Sequence, residues 1–288
     1  MCNACPRKCN AQRSADFGKG YCGMGLDPVI ARAAPHYWEE PCISGTNGSG
    51  TVFFSGCVLK CIYCQNSEIS YTGKGKRVTP LELADIFKSL EEQGVHNINL
   101  VTPTHLTHAI LKALEVYKPS IPLVYNCSGY ESVETLRLFD GIVDIYLPDF
   151  KYYYSDLARE YSACSDYREI ALNAIHEMVR QTGKPIFDDE GIMQKGTIVR
   201  HLVLPNCTDN SIEVLRLLDR EFSEKILVSL MHQYYPAGKA IGHKTLGRKI
   251  TDREYEAVTD VLMKLDIDGY MQDEDSADSI YTPDFDLE

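Results

Sequence analysis

The sequence predicts an α/β chain in which parallel strands alternate with helical crossovers, and three observations carry that expectation. Six short apolar runs, beginning at residue 51, are separated by stretches of amphipathic helical period. Cap and breaker residues punctuate them, and alternation of this kind is met by parallel strands joined by right-handed crossovers. The composition, 44% hydrophobic and 24% charged, is that of a globular chain rather than a disordered one. At 288 residues a single main core is expected.

Residues 51–55 (TVFFS) read as the first strand of the series. Thr79-Pro80 supplies an N-cap and a first-turn proline for a helix running to about residue 93, and Gly94 ends it. Residues 97–101 form a strand, 104–117 a helix, 121–125 a strand, 132–139 a helix and 142–147 a strand. Two helices follow, 156–163 and 168–182, with Gly183 closing the second. Residues 196–204 are a strand, 211–222 a helix, 226–231 a strand and 252–265 a final helix. Six such units build either an open doubly wound sheet or a partial barrel, and periodicity does not choose between them. In both, ligand-binding groups gather at the carboxyl ends of the strands. Residues 1–50 lack a sustained period and are rich in Cys, Gly and Pro, which marks a separate amino-terminal segment.

The formal charge of -12, from 29 basic and 41 acidic residues, argues against a surface built for nucleic acid or anionic lipid. Residues 266–288 hold nine acidic side chains and no Lys or Arg, so residues 1–265 carry only -3. This acidic tail is expected to be solvated, although Ile280, Tyr281, Phe285 and Leu287 give its end a means of docking on the body. No apolar run approaches the ~20 residues of a membrane span, and the first residues lack a signal peptide's apolar stretch. A cytoplasmic chain is therefore expected, and there clustered cysteines mean metal or redox chemistry.

The chain has 11 cysteines. Cys42, Cys127, Cys164 and Cys207 are scattered and read as small buried hydrophobes. Cys57, Cys61 and Cys64 follow the first strand directly, in the context Ser55-Gly56-Cys57 and Cys64-Gln65-Asn66. Three thiolates are one fewer than a closed zinc site or a fully ligated [4Fe–4S] cluster requires. A cluster on three protein ligands leaves one iron open. The alternative is a zinc site completed by Cys42 or His36.

In spacing and position Cys57, Cys61 and Cys64 match the CxxxCxxC motif of the radical S-adenosylmethionine (radical SAM) superfamily, and the chain resembles the homologues of pyruvate formate-lyase activating enzyme. The resemblance runs from about residue 51 to 231, and more loosely to 286. It implies a partial (β/α)6 barrel, a [4Fe–4S] cluster on the three cysteines, and S-adenosylmethionine chelating the open iron. It implies reductive cleavage to methionine and a 5′-deoxyadenosyl radical that abstracts hydrogen, with flavodoxin or ferredoxin as the electron donor. Cys57, Cys61 and Cys64 are then the catalytic set.

The strand ends supply groups for the cofactor. Where the family has a Gly-Gly-Glu type motif, this chain has Thr102-Pro103-Thr104. Thr102 and Thr104 are candidates to receive the ammonium, and the same residues can simply cap the next helix. Asn126 and Ser128, in Asn126-Cys127-Ser128-Gly129-Tyr130, resemble the activases' Thr-Asn-Gly segment near the methionine and ribose. Asp149-Phe150-Lys151 matches their Asp-Leu-Lys, and residues two apart at a strand end share a side. Arg200 and His201 alternate in an apolar strand, and Arg200 is the one expected to face inward. His232 resembles a ligand-contacting histidine after the last strand. The run Tyr152-Tyr153-Tyr154 reads as packing, and Lys74, Lys76 and Arg77 as an exposed loop.

Cys2, Cys5, Cys9 and Cys22 supply four thiolates, a complete set that leaves no open position. Zinc and a second iron–sulfur cluster both suit them, and structural zinc is the expectation. The function expected is a radical enzyme, in the first instance an activase that takes hydrogen from a glycine of a partner enzyme. A peptide- or metabolite-modifying enzyme without a glycyl-radical partner is the second reading. A metal-binding interaction module without catalysis is the third.

Overall fold

All six expected strands are present, and four more join them, one of eight residues and three short ones. The computed structural model describes residues 2–272 and 285. Its strands are β1 (Val29–His36), β2 (Ser49–Phe54), β3 (Lys76–Arg77), β4 (Ile98–Val101), β5 (Leu123–Cys127), β6 (Ile145–Pro148), β7 (Ile186–Phe187), β8 (Met193–Leu202), β9 (Leu227–Met231) and β10 (Gly269–Met271). Its helices are α1 (Pro41–Ser44), α2 (Ser67–Thr72), α3 (Pro80–Glu92), α4 (Thr107–Val116), α5 (Val133–Leu136), α6 (Ser155–Ser162), α7 (Tyr167–Thr182), α8 (Thr208–Phe222) and α9 (Asp252–Leu262). The start signals behave as their chemistry requires: Thr79 and Thr251 each close a full capping box, with Glu82 and Glu254.

The sheet runs β10-β9-β8-β6-β5-β4-β2-β1-β3, with β7 paired to β8. From β2 through β10 its main ladder is parallel, whereas β1 runs antiparallel to β2 and β3 antiparallel to β1. β3 and β10 are its two ends, so the sheet does not close. This is the expected partial α/β barrel.

Alternation along the strands separates two apolar layers. Tyr125, Tyr146 and Val199 pack outward against helices, among them Phe87 of α3, Ile110 of α4, Met178 of α7 and Leu218 of α8. Val124, Ile145, Leu147 and Ile198 point the other way and meet Cys42 and Ile43 of α1. A short helix from before the first parallel strand thus plugs the concave face. Every residue of β2 and β6 is buried, as covered parallel strands demand.

Two boundaries differ from expectation. Composition extends the Cys-rich segment through residue 50, but β1 and α1 lie inside that span and belong to the sheet and its plug. Charge starts the tail at residue 266, but β10 pairs in parallel with β9. Patterning does not reveal β10, because three residues among acidic neighbours carry no measurable period. Phe285 packs edge-on against Phe53, with ring centroids 5.6 Å apart. Ile280, Tyr281 and Leu287 lie outside the described residues.

One glycine sets how closely two strand ends approach. Gly129 has φ 75°, and a Cβ there would lie 2.1 Å from the Asp149 carbonyl oxygen. A backbone oxygen cannot swing aside, and the left-handed conformation adds strain for any other residue. Gly129→Ala is expected to destabilise the fold by about 3 kcal/mol, measured by anaerobic thermal or denaturant unfolding. An unchanged midpoint would show that the β5 and β6 ends are not locked together as described.

Candidate functional site

The loop after β2 carries Cys57, Cys61 and Cys64 and is fixed from several directions. Tyr71 Oη donates to the carbonyls of Lys60 and Cys61, both at 2.9 Å. The Ile62 amide donates to the Tyr161 carbonyl, and the Lys239 amide to that of Ile62. Lys60 has φ 51°, which turns the chain between the first two cysteines. Beneath the loop Tyr63 meets the rings of Tyr152, Tyr161 and Tyr234. Tyr152 accordingly packs, in line with its reading from sequence, and it is wholly buried.

All 11 cysteines are free thiols. Cys57 Sγ accepts from the Leu59 amide at 3.3 Å, Cys61 Sγ from Ser162 Oγ at 3.0 Å, and Cys64 Sγ stands 3.6 Å from Ser70 Oγ. Burial raises the Cys57 thiol above its ordinary range and pushes that of Cys64 up to about 12. Protons must therefore leave as a metal arrives. Among the described residues no three Cys, His, Asp or Glu side chains are gathered closely enough for one metal ion. Cysteines that share a four-iron cluster each hold a different iron and stand further apart. Cys42, one of the two alternatives for a fourth zinc ligand, is committed to the concave apolar layer.

The three thiols line a cavity of about 590 Å3 on the concave side of the sheet. Thr102, Asn126, Ser128, Asp149, Lys151 and Arg200 line it as well, so six of the eight expected cofactor residues converge. Thr102 is a β-branched residue at φ 64°, a strained conformation of the kind that clusters at functional sites. Lys151 Nζ donates to Asp149 Oδ2 at 2.6 Å. Burial opposes the Lys151 charge, but the Asp149 carboxylate outweighs it and holds the ammonium above its usual range. Two buried polar atoms here, Ser128 Oγ and Asn66 Oδ1, have no protein partner. A buried polar atom left unpaired costs about 1–3 kcal/mol, so both are suited to a ligand.

Arg200 faces the cavity and His201 faces away, as alternation requires. His201 is bonded to the Phe150 carbonyl and Ser211 Oγ, and burial lowers its pKa to about 4. The donors of Arg200 are largely committed. Its Nε donates to Glu40 Oε1 at 2.8 Å, and its Nη2 donates to Glu39 and Glu40. Glu39 also accepts from Asn99 at 2.9 Å. Burial opposes ionisation of Glu40, yet Arg200 beside it holds the carboxyl below its usual range.

Two expected residues are not on this cavity. Thr104 is buried and donates to Glu131 Oε1 at 2.7 Å; Pro103 and a 3-10 turn rotate it outward. His232 is buried with its ring edge-on to Tyr255 at 4.6 Å, while Gln233 and Tyr234 beyond it line the cavity. Conversely, Glu39, Glu40 and Asn66 belong to the site, although sequence reasoning does not single them out. A pair of adjacent carboxylates before Pro41 is the available signal for the first two. For Asn66, it is the position two residues past Cys64.

A family model described as the radical SAM superfamily matches residues 51–218. An uncharacterized protein of Methanocaldococcus jannaschii is 29% identical over 276 residues, covering 93% of this chain and 75% of that protein. Methylornithine synthase superposes with a TM-score of 0.51 at 14% identity, over 83% of this chain and 73% of that one. SuiB of Streptococcus suis bound to precursor peptide SuiA superposes at 0.50 and 12% identity, over 75% of this chain and 46% of that one. This chain thus spans about half the length of SuiB. At such identities the structural likeness is one of fold.

Glu131 yields a pH test. It is fully enclosed, and burial pushes its pKa up to about 8 against hydrogen bonds from Thr104 and Tyr125. Its folded pKa is raised, so the stability it contributes is complete below about pH 4.5 and is lost as pH rises toward 8. Relative to Glu131→Gln, the wild type should lose on the order of 1 kcal/mol per pH unit across that window. Anaerobic melting at pH 5, 6.5 and 8 checks this. A pH-independent difference would show that Glu131 is ionised in the fold.

Proposed function

The chain belongs to the radical SAM superfamily, and we propose on that footing that Cys57, Cys61 and Cys64 hold a [4Fe–4S] cluster whose fourth iron is left for S-adenosylmethionine. The chemistry such a cluster supplies is one electron to the sulfonium, which leaves methionine and a 5′-deoxyadenosyl radical able to take a hydrogen atom. The observation that carries this assignment is local: three thiols on one clamped loop share a cavity with two buried polar atoms that lack partners.

The residues present fit that pair of groups. Amide and hydroxyl donors already point at Cys57 and Cys61, as thiolate sulfurs require. We assign Asn66 and Ser128 to polar atoms of S-adenosylmethionine. The Asp149–Lys151 pair offers both signs of charge to its amino acid end, with Asn126 and Thr102 beside it. Arg200 is assigned a positioning role, because Glu39 and Glu40 hold it and it sets the polar floor of the cavity. Leu59 and the tyrosine cluster keep water from the loop's underside.

We propose further that the hydrogen donor is a segment of a peptide or protein, with a glycyl-radical enzyme as the leading form. Trp38, before α1, is 62% exposed and Met271 of β10 is 46% exposed, and both line the cavity. The segment after β1 and the end strand β10 thus present apolar side chains at the cavity's mouth, which suits an extended chain better than a small polar metabolite. A ferredoxin or flavodoxin is the proposed electron source, in a cytoplasm that keeps thiols reduced. Among the described residues no helix is long and apolar enough to cross a membrane. The same cavity speaks against a module that only binds metal.

The test is anaerobic reconstitution, reduction and chromatographic detection of 5′-deoxyadenosine. Wild type is expected to cleave S-adenosylmethionine, and Cys61→Ala to lose both cluster and cleavage. Ser128→Ala should retain the cluster but bind S-adenosylmethionine about 5- to 10-fold more weakly, the effect of one lost hydrogen bond. Cleavage that survives Cys61→Ala would refute the assignment.

A further inference from the structure

The four amino-terminal cysteines do not line that cavity, yet the segment that carries them lies against its central loop. Residues 2–28 fold by tight turns: the Cys2 amide donates to the Ala11 carbonyl and that of Lys8 to the Cys5 carbonyl. Lys8 and Asn10 take φ values of 41° and 49°, which reverse the chain on either side of Cys9. Gly20 returns against it; a Cβ there would lie 3.0 Å from Cys9 Sγ. Arg13 donates to Cys2 Sγ at 3.6 Å and to the carbonyls of Met24 and Gly25. Cys5 and Cys22 are buried, and Cys9 is exposed.

This knuckle is docked on the radical loop itself. Arg7 donates to the carbonyls of Val58, Ser162 and Ala163, and its guanidinium lies 4.1 Å from the Tyr21 ring centroid. Tyr21 Oη donates to the Leu59 carbonyl. Met24 fills the space over Gly56, where a Cβ would also meet the Cys22 carbonyl oxygen at 3.2 Å. Cys22 therefore abuts the residue before Cys57, and its neighbour Tyr21 bonds within the loop between Cys57 and Cys61.

We propose that Cys2, Cys5, Cys9 and Cys22 bind a second, fully ligated iron–sulfur cluster that relays single electrons to the cluster on Cys57, Cys61 and Cys64. Four thiolates leave no open iron, so this centre binds no S-adenosylmethionine and its chemistry is electron transfer. The knuckle's contacts set the two groups of cysteines side by side, a placement that suits a redox relay, whereas zinc has no redox chemistry. Arg13 beside Cys2 offsets negative charge on the sulfur. In the relay a ferredoxin- or flavodoxin-type donor loses one electron, the second cluster gains it and passes it on, and no bond or proton moves.

The inference rests on the assignment of the central cluster, and metal content separates the two. Full-length protein is reconstituted anaerobically with iron and sulfide, and then assayed for iron, sulfide and zinc and by EPR after reduction. The triple variant Cys57→Ala, Cys61→Ala, Cys64→Ala should keep half the wild-type iron and an iron–sulfur signal that ignores added S-adenosylmethionine. Cys9→Ser, at the exposed ligand where misfolding is least expected, should lose the signal that ignores S-adenosylmethionine and keep the one that responds. Its ratio of flavodoxin-driven to dithionite-driven cleavage should fall. Zinc in place of iron in the triple variant, or an unchanged ratio in Cys9→Ser, would overturn the relay. Loss of the responsive signal from wild type would instead refute the central assignment and leave the second cluster standing.

Discussion

The structure depends on an ion cluster inside an open sheet. Arg200 sits on β8, and Glu39 and Glu40 sit before α1, some 160 positions earlier in the chain. A closed barrel holds its curvature by pairing its first strand with its last, but this sheet ends at β3 and β10 and has no such closure. The guanidinium and two carboxylates tie the amino-terminal segment to the far half of the sheet across the concave side. All three side chains are nearly excluded from water, and removing one member of such a group costs about 3–5 kcal/mol because the remainder is left unpaired. The cluster therefore staples the segment before α1 to β8, beside the cavity that the loop after β2 and the ends of β5 and β6 also line.

From that constraint the site follows. The plug of Cys42 and Ile43 packs on the concave face, and the cavity lined by the three cysteines lies toward the carboxyl ends of the strands. There the cysteine loop cannot drift: Tyr71 holds it from one side and Arg7 from another. Gly129 lets the β5 end press against Asp149, which brings Ser128 and the Asp149–Lys151 pair to the same cavity. The residues that make the chemistry are few; most of the construction serves to hold them still.

Much of this is legible in the sequence, because local rules govern it. The six parallel strands and their helices announce themselves by period and cap, and Cys57, Cys61 and Cys64 by spacing and position after a strand. Strand alternation alone puts Arg200 inward and His201 outward. What is not legible depends on contacts distant in sequence. β1 has no period distinct from its Cys-rich surroundings and is a strand only because β2 offers an edge. Glu39 and Glu40 read as an ordinary acidic pair until Arg200 appears beside them. Thr104 has the right residue type, but the proline-induced turn rotates it toward Glu131. His232 likewise has the right position after its strand, yet its ring settles against Tyr255.

If three cysteines leave one iron for S-adenosylmethionine, the ligand's amino and carboxylate groups must sit on the cluster. Electron–nuclear double resonance reads this directly, on the reduced, reconstituted protein with S-adenosylmethionine labelled with 15N at its amino group and 17O at its carboxylate. Hyperfine coupling is predicted from both labels, to a cluster that Cys9→Ser retains and Cys61→Ala lacks. No coupling from either label, in a protein whose clusters are intact, would contradict it.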